Sequence, residues 1–444
     1  MQLAGYRAHG RGGCDPQAPP CKLQAASCNL YEVNSFEHNT RFITELARRL
    51  HMAGVSASRL EGAVRSTAQS LDVSCEIWST PTGLLLSLGD AHALHGTQQT
   101  RVLRLEPGTV DLGALVQLDR IAERVIAGEL DVTHASDALS ALDRAPTRAG
   151  RTWTLLAFGV SAAAVAALLR TAWLDILVAG VLGVAIGLIA IQSKAHPNLG
   201  AASEAIAALV ATVGVSAFAH FVAPLSVQTV IIAALIVLMP GLTLTTAVSE
   251  LASQQLVSGT TRFAGALVVL LKLTFGSVAG ARLAGAFGWT APTAPAPALP
   301  AIVEVVGAVA AAFAFAVLFR ALRRDVPLVM ASAVGGYVLT RTAGAWLSPD
   351  ASTSFAAPVF FSSLVIAALS NAYGRIAGRP GALVRVPGIM LLVPGSVGFR
   401  GLASIMERDY TLGLDTAVAV LSALVALMAG LLFGSLFVPP RRYL

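Results

Sequence analysis

The chain has 444 residues, 55% of them hydrophobic and only 13% charged, with a formal net charge of +6. Soluble domains carry roughly 25% charged residues, so a wholly soluble protein is excluded. Nor does the positive balance mark a nucleic-acid binder, because the arginines lie between long apolar segments, where they set membrane topology.

Residues 1–34 are expected to form a flexible leader. Cys14, Cys21 and Cys28 are evenly spaced there, among Pro16, Pro19 and Pro20, and lack the CxxC of a metal knuckle. No apolar signal-peptide core sits in this stretch. From residue 35 to 150 charge alternates with apolar positions, as in soluble proteins. Phe36, Phe42, Ile43, Leu46, Leu50 and Met52 make a helical stripe, and a second helix follows Ser56, with Ser58 and Glu61 offering a capping pattern. Val73–Trp78 and Leu84–Leu88 are strand-like across the turn Thr80-Pro81-Thr82-Gly83, and Arg101–Leu105 alternates as a third strand. Cys75 falls in the first of these and is expected to be buried. Asp111–Ala127 and Thr133–Leu142 return to helical spacing, with Gly128 as C-cap. These elements make a small α+β domain.

Beyond Arg151 the charge thins: Thr152 to Phe319 holds only Arg170, Asp175, Lys194, Glu204, Glu250, Arg262, Lys272, Arg282 and Glu304. A bilayer core needs about twenty apolar residues per helix. Spans are predicted at 152–170, 174–192, 201–222, 224–240 and 261–285. After a Pro/Ala linker at 289–299 they resume at 300–319, 326–347, 355–373, 383–399 and 412–438. The membrane halves are thus 151–288 and 300–444. With the N-terminus cytoplasmic, the inner loops hold Arg148, Arg151, Lys194, Arg262, Arg320, Arg323, Arg324, Arg375, Arg379, Arg385, Arg441 and Arg442. The outer ones hold Arg170, Arg282, Arg341, Arg400 and Arg408, and this asymmetry supports the orientation.

Met239-Pro240-Gly241 recurs as Val393-Pro394-Gly395, an offset of 154 (394 − 240). In the same register Gly259 meets Gly413, Gly276 meets Gly430, Gly280 meets Gly434, and Leu270 and Leu273 meet Leu424 and Leu427. Five spans per half is odd, so the second copy enters the membrane with the opposite sense, as in many secondary transporters. The expected fold is an α-helical polytopic membrane protein, about ten transmembrane helices in a 5+5 inverted repeat behind a small cytoplasmic α+β domain. The Pro-Gly pairs either interrupt helices at a central site or end them at the interface. Gly276/Gly280 and Gly430/Gly434 suit close helix packing.

Charged groups at membrane depth need a reason. Glu204 either binds a substrate ammonium or carries a proton, or is an interfacial residue beside Lys194. Lys272, mid-span, is a candidate partner for a substrate carboxylate or for a carboxylate of the chain. Glu250 lines a cavity if the polar stretch Thr243–Ser258 re-enters the membrane, and otherwise sits in a cytoplasmic loop. Asp175, Arg282 and Glu304 fall near outer ends and suit anchoring, while Arg341 has the bidentate geometry to clamp a carboxylate. No GxSxG, HExxH, Walker or Rossmann pattern occurs, so no enzyme activity, cofactor or metal is expected.

Several stretches resemble the threonine/serine exporter family: Leu50-His51-Met52-Ala53-Gly54-Val55-Ser56-Ala57-Ser58-Arg59-Leu60-Glu61, Thr80-Pro81-Thr82-Gly83, Thr100–Arg104, Gly128-Glu129-Leu130, Met239-Pro240-Gly241-Leu242 and Leu392-Val393-Pro394-Gly395. The resemblance covers about residues 35–440 and has the fused form, with both halves in one chain. It implies a ten-helix carrier of the bacterial inner membrane that exports threonine and serine, with some small peptides in its range, by proton antiport. Its partners would be a small amino acid, protons and the lipid bilayer, with a homo-oligomer compatible. Glu204 matches a family carboxylate position, whereas Asn371 and Met239 depart from the family pattern, Asn371 at a position where a carboxylate is common. The resulting candidates are Pro240, Gly241, Pro394, Gly395, Lys272 and Asn371 for the transport path, and Glu204 and Glu250 for proton coupling. A membrane sensor with a ligand-binding soluble domain is the alternative.

Overall fold

A computed structural model describes residues 22–90, 98–142, 147–289, 299–347, 356–392, 395–406 and 409–440. Most of the leader, through residue 21, and the interior of the Pro/Ala linker lie outside these.

The first helix, α1 (Lys22–Met52), begins inside the stretch assigned to the leader. No proline or glycine follows Pro20 until Gly54, whose φ of 75° ends the run. Phe42, Ile43, Leu46 and Leu50 are fully buried, but Met52, grouped with them from sequence, is 52% exposed. Two residues past Leu50 it lies on another face of the helix. Then come α2 (Ala57–Ser70), β1 (Val73–Thr80), β2 (Gly83–Asp90), β3 (Gln99–Arg104), α3 (Leu112–Ile126) and α4 (Val132–Ser140). The strands form one antiparallel sheet in the order β1-β2-β3, and Thr80 pairs with Gly83 across the two-residue turn Pro81-Thr82. Asp111 caps α3 through the Ala114 N–H at 2.8 Å. Cys75 is only partly buried, enough to push its thiol up to about 11.

The capping pattern expected at Ser58 and Glu61 does not form. Ser56 is the N-cap of α2 and makes no side-chain cap bond. Glu61 is instead buried and accepts the Ser79 N–H at 3.0 Å.

The membrane part comprises α5 (Arg148–Leu168), α6 (Trp173–Ser193), α7 (Pro197–Phe221), α8 (Val227–Leu235), α9 (Gly241–Ala252) and α10 (Leu256–Ala286). Its second half holds α11 (Ala301–Leu318), α12 (Val326–Leu347), α13 (Ala356–Ala377), α14 (Ala382–Met390), α15 (Gly395–Met406) and α16 (Tyr410–Phe437). Among the described residues eight segments are long and apolar enough to cross a membrane, rather than ten. The expected span 224–240 is a nine-residue helix, α8, that stops short of Pro240. The expected span 326–347 is the 22-residue helix α12, which is not among the eight and carries Arg341 in its last third. The span 383–399 is split between α14 and α15.

The two halves share local devices. Both α5 and α11 end on an arginine in the left-handed region, Arg170 and Arg320, each with φ of 52°. In both, the next residue reaches back five positions: Thr171 N to Ala166 O and Ala321 N to Ala316 O. That pattern closes a helix end and is usually made with glycine. Close-packed glycines also recur. A Cβ on Gly259 would crowd Ala247 and Leu251, and one on Gly413 would crowd Gly401 and Ile405, partners 154 positions on (401 − 247 and 405 − 251). Gly276 and Gly280 press on α7 at Ala205 and Thr212, as Gly430 and Gly434 press on α13 at Ser363 and Ala367.

Leading helices of the halves run in opposite directions. Leu299, just before α11, exchanges two bonds with Arg170 at the end of α5, at 3.2 and 2.6 Å. At its other end α11 offers the Phe319 carbonyl to the Leu112 N–H of the soluble domain at 2.9 Å. One face of the membrane part is therefore the domain side, and the other bears Arg170 and Leu299.

Candidate functional site

The site grows from the two helix breaks. After Leu235 the chain tightens, with Leu238 N donating to Leu235 O at 2.9 Å, and Pro240 then caps α9. In the second half α14 ends at Met390 and α15 resumes at Gly395. Pro394 lies outside the described residues. A Cβ on Gly395 would stand 3.4 Å from Gly241 Cα and 3.5 Å from the Met239 Cβ, so the two breaks abut. Within α14, Pro387 also removes the donor that would reach the Leu383 carbonyl. Across the breaks the half-helices exchange neighbours: α9 packs on α16, and α15 packs on α10.

A cavity of about 200 Å³ extends from Leu242 and Ile389, next to the breaks, to the soluble domain. Its walls are α9 (Thr245, Thr246, Ser249, Glu250), α14 (Arg385, Val386) and α16 (Met428, Leu431, Ser435), and Ser56, Ser58, Arg59 and Asp111 of the domain close it. The volume lies below the roughly 300–1,000 Å³ of sites for drug-sized ligands. It suits a small metabolite.

Glu250 lines this cavity and is 1% exposed. Thr243–Ser258 is the end of α9, a turn at 253–255 and the start of α10, which brings Glu250 against α10 and α2. Its carboxylate accepts the Ala57 N–H at 3.0 Å, Ser258 Oγ at 2.7 Å and Arg262 Nε at 3.0 Å. The first of these completes the N-terminus of α2 in place of the absent Ser56 cap. Gln255 Nε2 adds a bond to Glu61 at 3.2 Å. Further docking comes from Arg320 with Asp111 at 3.0 Å.

Glu204 and Lys272 meet as an ion pair at 3.5 Å between α7 and α10, with side chains 23% and 35% exposed. Neither lines the cavity. Asn371 is buried in α13 and donates to Val438 O at 2.8 Å and Ser435 Oγ at 3.3 Å, tying α13 to the end of α16 beside the cavity. At the opposite face Asp175 accepts the Ser226 and Ala172 N–H groups at 3.0 and 3.2 Å. Arg341 pairs with Glu304 at 3.1 Å, and Tyr337 donates to the same carboxylate at 2.6 Å. Arg282 is exposed.

Sequence reasoning singles out none of three further side chains as part of a site. Asp325, 1% exposed, holds Arg379 at 2.8 Å and so pins the α11–α12 turn to the α13–α14 turn. Arg385, counted among inner-loop charges, lies inside α14 and faces the cavity. Arg59 faces it from the domain; burial, and then the nearby Arg385, hold its guanidinium well below the ordinary value. The signal for Arg385 was its place two residues before Pro387 in an apolar run.

The family model described as "Putative threonine/serine exporter" matches residues 41–284, and "Threonine/Serine exporter, ThrE" matches 304–437. Relatives named "Pheromone-regulated membrane protein 10" include one from Debaryomyces hansenii, 24% identical over 84% of this chain and 37% of its own length. Those of Eremothecium gossypii and Saccharomyces cerevisiae are 24% and 25% identical, over 86% and 90% of this chain and 51% and 54% of theirs. The chain thus spans about a third to a half of the relatives it matches. The names of these yeast proteins place them in a membrane, and the eight apolar segments make this chain a multi-pass membrane protein. No solved structure matches. The chain belongs to the threonine/serine exporter family.

Proposed function

We propose that the protein is a secondary transporter, not an enzyme, that exports threonine and serine from the cytoplasm by proton antiport. Two inverted five-helix halves would rock about the abutting breaks to expose one site alternately. The observation that carries this reading is the approach of Gly395 to within a methyl group's width of Gly241 at the head of a polar-walled cavity. Interrupted backbone at membrane depth is tolerated where it faces protein or a water-filled space, and such breaks are where transporters bind small polar solutes.

In this reading Pro240, Gly241, Pro394 and Gly395 form the path, with Asn371 supporting its wall. Glu250 and Glu204 are the coupling carboxylates, and Lys272 is the countercharge of Glu204. The soluble domain is cytoplasmic, since Arg262, Arg320 and Arg379 gather on the domain side through Glu250, Asp111 and Asp325. Closure of the cavity by that domain favours a second reading, a sensor whose domain binds a ligand.

Vesicles loaded with labelled threonine separate the two. Efflux that rises with an inward proton gradient, and loses that dependence in Glu204→Gln, fits the antiporter. Ligand binding with no efflux would favour the sensor, and efflux indifferent to the gradient would remove proton coupling.

A further inference from the structure

A second cleft, of about 700 Å³, opens on the domain side of the membrane part. Arg151 lines it from the start of α5, Lys194 from the end of α6 and Arg320 from the end of α11. No acidic residue lines it. Among the described residues Arg151 and Lys194 make no ion pair. Arg320 gives one nitrogen to Asp111 at 3.0 Å, and its other donors remain available. Positive charge anywhere along these loops is enough to set topology. Three cations brought from three helices to one walled space are a further property, since like charges gathered without an acid repel one another.

Apolar surface runs from this cleft along the same helices. Trp153, which lines it, shares one exposed face of α5 with Leu156 and Val160, three and seven residues on. Next to Ile191 on α6, one turn away, stands the exposed Leu188, and next to Val317 on α11 the exposed Phe313. An indole at such a level is typical of a membrane surface. An anion with fatty tails meets both parts of this surface, whereas a free anion meets only the cations.

We propose that this cleft binds the phosphate headgroup of an anionic phospholipid from the domain-side leaflet, with its acyl chains lying along α5, α6 and α11. Arg151 and Lys194 pair with the phosphate oxygens. Thr147, whose hydroxyl accepts the Gly150 N–H at 3.1 Å, keeps its own proton to donate to them. Because Arg320 also holds Asp111, the lipid lies against the arginine that docks the soluble domain. The site is independent of what the protein carries.

Native mass spectrometry of the full-length protein in detergent, titrated separately with phosphatidylglycerol, phosphatidylcholine and glycerol 3-phosphate, counts the molecules retained. Phosphatidylglycerol should fill a first site at lower concentration than phosphatidylcholine. Glycerol 3-phosphate, which has the charge without the tails, should bind far more weakly. The double variant Arg151→Gln, Lys194→Gln should weaken that first site about 10- to 30-fold, and Lys194→Gln alone about 5-fold. Arg375→Gln, which removes an exposed domain-side arginine outside the cleft, should leave it unchanged. Equal binding of the two lipids, no loss in the double variant, or an equal loss in Arg375→Gln would each overturn the assignment. Glycerol 3-phosphate binding as tightly as phosphatidylglycerol would overturn it in favour of a soluble phosphate ester. If the double variant does not fold, Lys194→Gln, at an exposed helix end, decides in its place.

Discussion

Gly395 faces Gly241 across a gap about one methyl group wide: an added Cβ would sit 3.4 Å from the Gly241 Cα, an ordinary van der Waals distance. That geometry separates alanine from anything larger. Gly395→Ala should keep near-normal folding and efflux. Gly395→Leu should wedge the breaks apart, at about 1–3 kcal/mol for an overpacked site, and abolish efflux while the protein still reaches the membrane. Efflux rates and size-exclusion profiles of the pair check this, and equal activity in both would mean the gap is wider than one methyl group.

Glu250 joins the soluble domain to the membrane part through a bond between residues 193 positions apart. Its carboxylate and the Arg262 guanidinium are both buried, with side chains 1% and 10% exposed. Glu250→Ala would strand that arginine and leave the first turn of α2 uncapped, a loss of about 3–5 kcal/mol. Hydrogen exchange should rise in α2 and in the start of α10, and less so in Glu250→Gln, which keeps an acceptor. Unchanged protection of Ala57 and its neighbours would argue that docking does not depend on this carboxylate.

Local chemistry made the soluble domain legible from sequence. The period-two runs at Val73 and Leu84, the Pro81-Thr82 turn and the helical spacing from Asp111 are each set by neighbouring residues, and the strands and helices formed where those signals lay. The chain breaks at 240 and 395 were legible for the same reason, since proline and glycine act on their own turn. What escaped was long-range: partners of Glu250 and Asp325 come from segments far away in sequence. The Lys272–Glu204 ion pair likewise joins two helices, α10 and α7, that sequence alone does not bring together.

The Glu204–Lys272 pair should behave as a unit, because a lone charge at membrane depth costs more than none. Glu204→Gln and Lys272→Gln should each lower the yield of folded protein. The double variant should recover most of it and export threonine without response to a pH gradient. Double-variant damage equal to the sum of the singles would show that the two side chains are not coupled.

His51 supplies a pH dependence in the soluble domain. Burial lowers its pKa from the ordinary 6.5, outweighing the raising effect of the Glu106 carbonyl. A base with a depressed folded pKa binds fewer protons folded than unfolded, so its stabilising contribution is full above about 6.5 and falls as pH drops below it. Thermal melts between pH 8 and 5 should show that loss, and His51→Gln should flatten it. An identical acid slope in the variant would assign the effect to other groups.

A single cysteine at Thr246, in a chain whose four native cysteines are replaced by serine, reports access to the cavity from either face. A membrane-impermeant maleimide should label it from the domain side in resting vesicles, more slowly with threonine present. When a proton gradient drives turnover, labelling from the opposite face should appear. Labelling confined to one face under both conditions would contradict two antiparallel halves rocking about Gly241 and Gly395.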